Sequence, residues 1–219
     1  MCVLAIASFS FGDILIANFE GDGMDVGNNY SDGSNTNLSA VAGPGNTLGD
    51  YALEAVMPNG GWGTNLELYL GGTSAGTALG GSGTVIVDVT SYSEDFPDGW
   101  GSIGLLLNAG GDANGELYTW NVHDWQDVPF NTTTTMTFQL PQAEIDAIAA
   151  GSYNWWMNIG FGSSTADAIQ EVVDEITGEI LVPGQTPTYY FDNIRIVPEP
   201  ATMSLLGLGA LALLKRRKA

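Results

Sequence analysis

Residues 84–89 read Thr-Val-Ile-Val-Asp-Val, and Gly80-Gly81-Ser82-Gly83 stands directly before them. Branching at Cβ stiffens χ1 and suits a pleated strand, while clustered glycines mark chain reversals. The same alternation of strand-like run and turn signal extends both ways. Toward the N-terminus lie Asn65–Leu70, Asp50–Met57 and Ile14–Glu20, with Pro58-Asn59-Gly60-Gly61 as punctuation. Toward the C-terminus follow Ile103–Asn108, Glu116–Val122, Thr132–Leu140, Tyr153–Phe161 and Thr188–Val197, with Pro97-Asp98-Gly99 and Gly110-Gly111 between the earlier ones. About nine short strands in one body predict an all-β sandwich. One short helix is expected at Pro141–Ala150, where Ile145 and Ile148 fall three apart and Gly151 ends the pattern. Asp167–Ile176 reads either as a second helix or as the first arm of a hairpin turning at Thr177-Gly178. No internal repeat of fixed period is present.

The 219 residues are 44% hydrophobic and 14% charged, enough apolar material for a packed core and too much for a disordered chain. Thirty glycines without a period of three exclude collagen. A formal charge of −20 makes nucleic acid a repulsive partner. Between Asp13 and Val197 the single basic side chain is Arg195, so the carboxylates of the body are either solvated or gathered on divalent cations. Cys2 is alone, which leaves no disulfide and no thiol chemistry in the body. His123 is the only histidine, so zinc sites and imidazole-based triads lack their ligands. No HExxH, phosphate-binding glycine loop or nucleophile elbow occurs, and Gly101-Ser102-Ile103-Gly104 lacks the five-residue elbow pattern.

The two ends differ from the body. Met1–Phe11 is small and apolar, like the end of a secretory signal, with small-x-small patterns at Ala5-Ile6-Ala7 and Ser8-Phe9-Ser10. A signal remnant is therefore expected over residues 1–12, its basic start lying upstream; a first strand is the other reading. At the other end, Pro198-Glu199-Pro200 precedes the uncharged run Ala201–Leu214, then Lys215, Arg216, Arg217 and Lys218. A helix over that run spans about 21 Å, short of a hydrocarbon core of about 30 Å. Pro200 suits its start, and the basic cluster suits its C-terminus and a cytoplasmic side.

This arrangement over residues 198–219 resembles the PEP-CTERM protein-sorting signal of Gram-negative bacteria. The resemblance implies that an exosortase recognises Pro198, Glu199 and Pro200 and removes the tail. It further implies transient anchoring in the inner membrane and delivery of the body to the envelope surface or an exopolysaccharide matrix.

Three patches of the body resemble galactose-binding-like jelly rolls among carbohydrate-binding modules. They are Ile16-Ala17-Asn18-Phe19-Glu20-Gly21, Gly49-Asp50-Tyr51-Ala52-Leu53-Glu54 and Tyr189-Tyr190-Phe191-Asp192-Asn193-Ile194-Arg195-Ile196. The resemblance implies a jelly roll over residues 13–197. It also implies a structural Ca²⁺ joining the first and last strands, for which Glu20, Asp22, Asp50 and Asp192 are the candidates; Ca²⁺ takes oxygen ligands that are distant in sequence. The alternative is surface carboxylates that never meet. Asp22-Gly23-Met24-Asp25 is no EF-hand, since the twelfth residue from Asp22 is Gly33 where that loop requires Glu.

Six tryptophans offer the remaining chemistry: Trp62, Trp100, Trp120, Trp125, Trp155 and Trp156. A pyranose lays its apolar face on an aromatic ring while carboxylates and amides take its hydroxyls. Trp120, Asn121, Asp124, Trp125 and Gln126 have that composition, and core packing is the competing reading of the rings. Thr132–Thr135 is read as β-propensity and not as an ice-binding array. The sequence therefore predicts an exported, non-catalytic glycan-binding protein. The alternatives are a glycoside-active hydrolase or lyase using paired carboxylates, and a purely structural matrix component.

Overall fold

The computed structural model describes residues 13–20, 37–58, 61–70, 74–110, 118–151 and 156–197. The chain runs β1 (Ile14–Ala17), β2 (Asn37–Ala42), β3 (Tyr51–Val56), β4 (Gly61–Tyr69), α1 (Ser74–Ser82), β5 (Thr84–Ser91) and a 3₁₀ turn at Ser93–Asp95. It continues through β6 (Gly101–Gly110), β7 (Tyr118–Asp127), β8 (Thr132–Gln139), α2 (Gln142–Ala149), β9 (Trp156–Thr165), β10 (Val172–Val173), β11 (Ile180–Val182) and β12 (Thr188–Ile196).

Two antiparallel sheets form the sandwich. One has the order β2-β3-β12-β5-β8 and the other β4-β9-β6-β7. Alternation decides which side chains meet between them. Val85, Val87 and Val89 of β5 point into the core, as do Leu66 and Leu68 of β4 and Ile103, Leu105 and Leu107 of β6. Phe161 of the second sheet stacks on Phe191 of the first at 5.5 Å between ring centres and 11° between planes, and packs on Phe138 at the same separation. These rings bind one sheet to the other, because aromatic side chains bury the most apolar surface per residue.

Strand β12 changes neighbours halfway. Thr188–Phe191 pair with β3, while Ile194–Ile196 pair with β1. Between them the register against β5 shifts after Asp192, and Asn193 takes the left-handed φ of 49°. A bulge of this kind bends the strand and frees one edge for a new partner.

The sandwich, the helix at α2 and nine of the strands stand where the sequence placed them, within a few residues at each end. Asp167–Ile176 is no helix. It opens the β10–β11 hairpin, with Gly178 at φ +71° in its turn. Two corrections follow from tertiary packing. Gly80-Gly81-Ser82, read as a turn, belongs to α1, and only Gly83, at φ +64°, ends that helix. A Cβ on Gly80 would stand 2.8 Å from Ile148 Cγ2 and 3.0 Å from Ala149 N, so the glycine lets α1 lie close on α2. Strand β2 carries no sequence signal strong enough to predict it. The signal remnant, Asp22-Gly23-Met24-Asp25, Trp155 and the tail from Pro198 through Lys218 lie outside the described residues. Among the described residues no helix is long and apolar enough to cross a membrane.

Candidate functional site

Two places bring chemistry-bearing residues together: a loop laid over the first sheet, and the outer face of the second.

The loop following β2, residues 43–50, folds back over the outer face of the first sheet. Asp192 of β12 is fully buried beneath it. Its Oδ2 accepts from the backbone N–H of Thr47, from that of Leu48 at 2.7 Å and from Thr47 Oγ1 at 3.0 Å. Asp88, opposite Asp192 on β5, accepts from Thr47 Oγ1 at 2.6 Å, Asn193 Nδ2 at 2.9 Å and Thr135 Oγ1 at 2.6 Å. Burial pushes the Asp88 carboxyl up. The bonds from Thr135, Thr47 and Asn193, with the positive charge of Arg195, outweigh that and leave it below its ordinary value. Glu20 reaches the far end of the same loop, where Oε1 accepts from the N–H of Asp50 at 2.7 Å and of Tyr51 at 3.1 Å. Gly49, at φ +97°, passes so close to Glu20 that any Cβ would collide with the carboxylate.

Glu20 and Asp192 thus converge on one loop, as the calcium expectation requires, but they meet its N–H donors. The Asp50 side chain is exposed, and Asp22 lies outside the described residues. Among the described residues no three acidic, histidine or cysteine side chains come together as a cation would need. Among the described residues, Glu20 and Asp192 join the first and last strands to the loop through carboxylate-to-N–H bonds. The body's single basic residue serves the same end of the fold: Arg195 Nε donates to Asp13 Oδ2 at 3.0 Å.

The outer face of the second sheet has a different character. Its cross-strand rows are fixed by register. Tyr69, Asn158, Asn108 and Trp120 form one row; Glu67, Gly160, Leu106 and Val122 form the next; Asn65, Gly162 and Gly104 form a third. The central strands β9 and β6 therefore offer glycines, amides and one leucine. The edge strands β4 and β7 hold Tyr69 and the tryptophan positions. Small residues stand in the middle of this face and large ones at its edges, and Glu67, Leu106 and Asn108 in the middle are buried.

Beside the third row, the register of β7 against β6 shifts, and Asp124 and Trp125 together stand against Gly104. Asp124 is left-handed at φ 56°. In an unbroken strand, residues five apart face opposite sides. The extra residue at the bulge places Trp125 on the outer face, opposite Gly104. The Trp125 ring lies across the glycine floor: a Cβ on Gly104 would be 3.1 Å from its Cδ2, and one on Gly162 would be 3.7 Å from its Cη2. It remains 40% exposed. Trp100, exposed to a similar degree, lies outside these rows.

The polar residues expected beside these rings go elsewhere. Asn121 Nδ2 donates to Glu144 Oε1 of α2 at 3.4 Å. Gln126 Nε2 donates to the Thr137 carbonyl of β8 at 2.7 Å and to Asp124 Oδ2 at 3.0 Å, and Asp124 also accepts from the Gln139 N–H at 3.2 Å. These three tie β7 to β8 and α2. In their place the middle of this face has a buried group that the sequence reading missed. Glu67 Oε2 accepts from Asn158 Nδ2 at 2.9 Å, and Asn108 Nδ2 lies 3.3 Å from Glu67 Oε1. Alternation was the available signal, since Glu67 interrupts Leu66 and Leu68 on a strand whose other face is core.

A family model described as the PEP-CTERM protein-sorting motif matches residues 197–218. No curated protein matches the chain in sequence. Among solved structures, the CBM22-1 xylan-binding domain of Paenibacillus barcinonensis Xyn10C superposes with a TM-score of 0.51 at 12% identity, over 85% of this chain and 97% of that one. The CBM22-2 xylan-binding domain of the same protein gives 0.51 at 13% identity, over 83% and 97%. A structure from a study of promiscuous carbohydrate-binding modules of the β-sandwich superfamily gives 0.53 at 18% identity, over 84% and 61%. The chain has the jelly-roll sandwich fold of these carbohydrate-binding modules, and it ends in a PEP-CTERM protein-sorting motif.

Proposed function

We propose that the protein is an exported, non-catalytic glycan-binding protein whose ligand lies along the outer face of the β4-β9-β6-β7 sheet. The observation that carries this reading is the arrangement of that face: glycines in the middle, aromatic positions on both edge strands, and a carboxylate–diamide group between them. A polysaccharide chain offers alternating apolar ring faces and hydroxyl edges, and such a surface meets both. Glu67 is held by two amides, which suits hydrogen bonding to hydroxyls better than hydrolysis, for which a second carboxylate must flank the scissile bond. The fold shared with xylan-binding domains supports the reading, and the sorting motif agrees with a ligand met outside the cell. The tail is the substrate of an exosortase, which releases the body at the envelope surface or into an exopolysaccharide matrix.

Affinity electrophoresis in gels containing xylan, mixed-linkage β-glucan or mannan tests the binding. The full chain is expected to be retarded by at least one of them, and Trp125→Ala is expected to lose about 1–2 kcal/mol of that affinity while melting normally. No retardation in any gel would remove the reading.

A further inference from the structure

The β10–β11 hairpin stands out from the rest of the surface. Seven of the eleven exposed large apolar side chains among the described residues lie between Ile169 and Val182. Val172 pairs with Val182 and Val173 with Ile180, so the apolar residues are cross-strand neighbours, and every residue of both strands is exposed. Ile176, at the turn, is 94% exposed. Single exposed apolar residues are ordinary, whereas a contiguous patch of them marks a surface that meets a partner. The base of the hairpin is anchored: Ile169 and Gln185 exchange both backbone bonds, and Gln185 Nε2 donates to the Glu94 carbonyl at 2.9 Å. The rest is a two-stranded sheet open on both faces, marginal by itself and steadied by whatever covers it.

Charge narrows the choice of partner. Glu171, Asp174, Glu175 and Glu179 lie among these apolar residues, and no Lys, Arg or His stands anywhere between residues 124 and 194. The body's one Arg, Arg195, is held by Asp13. A second copy of the body, or an anionic membrane, would therefore set acid against acid. The chain's own basic cluster belongs to the sorting motif, which the sorting reading removes. Backbone narrows it further. Among the described residues neither β10 nor β11 has a strand on its outer side, and such edges present N–H and C=O groups that another polypeptide can pair.

We infer that the hairpin is the docking site of a cationic polypeptide segment of another protein, which adds an extended strand to it. The segment lays its apolar side chains on the exposed Val, Ile and Leu residues and sets its Lys or Arg side chains beside the four carboxylates. This surface belongs to neither sheet of the sandwich, so the inference and the glycan reading stand or fall separately.

The test uses the full chain and four acetylated, amidated peptides of one length: alternating lysine and valine, alternating glutamate and valine, alternating lysine and serine, and the lysine–valine peptide N-methylated at two adjacent central residues. The plain lysine–valine peptide is expected to bind at least about tenfold tighter than each of the others. Joint Ile180→Thr and Val182→Thr, which keeps β-branching and removes apolar surface, is expected to weaken that binding about tenfold while the body melts as before. Joint Glu171→Gln and Glu179→Gln is expected to weaken it about fivefold and to reduce its dependence on salt. Equal binding of the lysine–serine peptide would reduce the interaction to charge alone, and equal binding of the methylated peptide would remove strand addition; either overturns the inference. So does unchanged binding in both double variants, which would put the site elsewhere, or binding of no peptide at all. A dimer of the full chain in sedimentation that Ile180→Thr with Val182→Thr disperses would give the surface to a second copy and overturn it as well. None of these outcomes alters the retardation expected in the glycan gels.

Discussion

Asp192 shows how one buried carboxylate decides where a loop goes. It sits at the bulge of β12, and its oxygens take the N–H groups of Thr47, Leu48 and Asn193, donors that a loop over a sheet would otherwise leave unpaired. Asp88 completes the arrangement through Thr47, Thr135 and Asn193. Because the folded Asp88 carboxyl lies below its ordinary value of 3.8, the stability it contributes is fully present above that pH. It is lost as pH falls through the depressed folded value. Melting temperature is therefore expected to drop on acidification below about pH 4, and Asp88→Asn is expected to flatten that part of the profile. Asp192→Ala, which removes the acceptor of the Thr47, Leu48 and Asn193 N–H groups, is expected to cost about 2 kcal/mol in denaturant unfolding at pH 7. The sequence marked Glu20 and Asp192 because they stand in patches resembling the first and last strands of a known fold. Asp88 and Thr47 bear no such mark: they share a site only once β5 lies beside β12, and no pattern within either segment announces that.

At the scale of elements, α1 and the β7 bulge show what local patterning cannot reveal. Helix α1 is written in a poor helix vocabulary, Ser-Ala-Gly-Thr-Ala-Leu-Gly-Gly-Ser. Propensity argues against it, and contact with α2 and the core wins. Its glycines are therefore not equivalent. A Cβ on Gly81 meets nothing within 4 Å, while one on Gly80 would press on Ile148 and Ala149. Gly81→Ala is expected to stabilise the protein by about 0.5–1 kcal/mol through reduced unfolded-state freedom, and Gly80→Ala to destabilise it by about 1–3 kcal/mol through overpacking. Both are read from urea midpoints, and similar effects at the two positions would argue against the helix and its packing. Strand β7 was legible as a strand and its tryptophans as ring candidates. The bonds of its polar neighbours to β8 and α2 were not legible, because register and bulge assign faces and neither is visible in a run of residues taken alone.

For the whole molecule, the question is how the chain ends are held and then parted. The first strand, the loop of residues 43–50 and the last strand are joined at one end of the sandwich through Glu20 and Asp192. Direct N–H bonding predicts equal melting in excess Ca²⁺ and in chelator. A bridging cation, proposed from the resemblance, predicts a loss on chelation of about 2.7 kcal/mol if Ca²⁺ stood at a hundred times its dissociation constant. The comparison is decisive because no N–H donor is removed by a chelator. The tail poses the complementary case of a segment that lies beyond the last strand. Val197 is the last described residue, its N–H donating to the Thr84 carbonyl at 3.1 Å, and Pro198-Glu199-Pro200 begins directly beyond it. A cut at that motif falls after the last strand, since β12 ends at Ile196. The mature form in the native host is therefore expected to lack Lys215, Arg216, Arg217 and Lys218 and to melt like the full chain, with intact mass and a thermal melt as the two readings. Replacing Pro198, Glu199 and Pro200 by alanine is expected to leave full-length protein with the inner membrane. A surface or secreted species that still ends in the basic cluster would show that the motif is not cleaved, and a processed body with a lowered melting temperature would show that the tail is part of the fold.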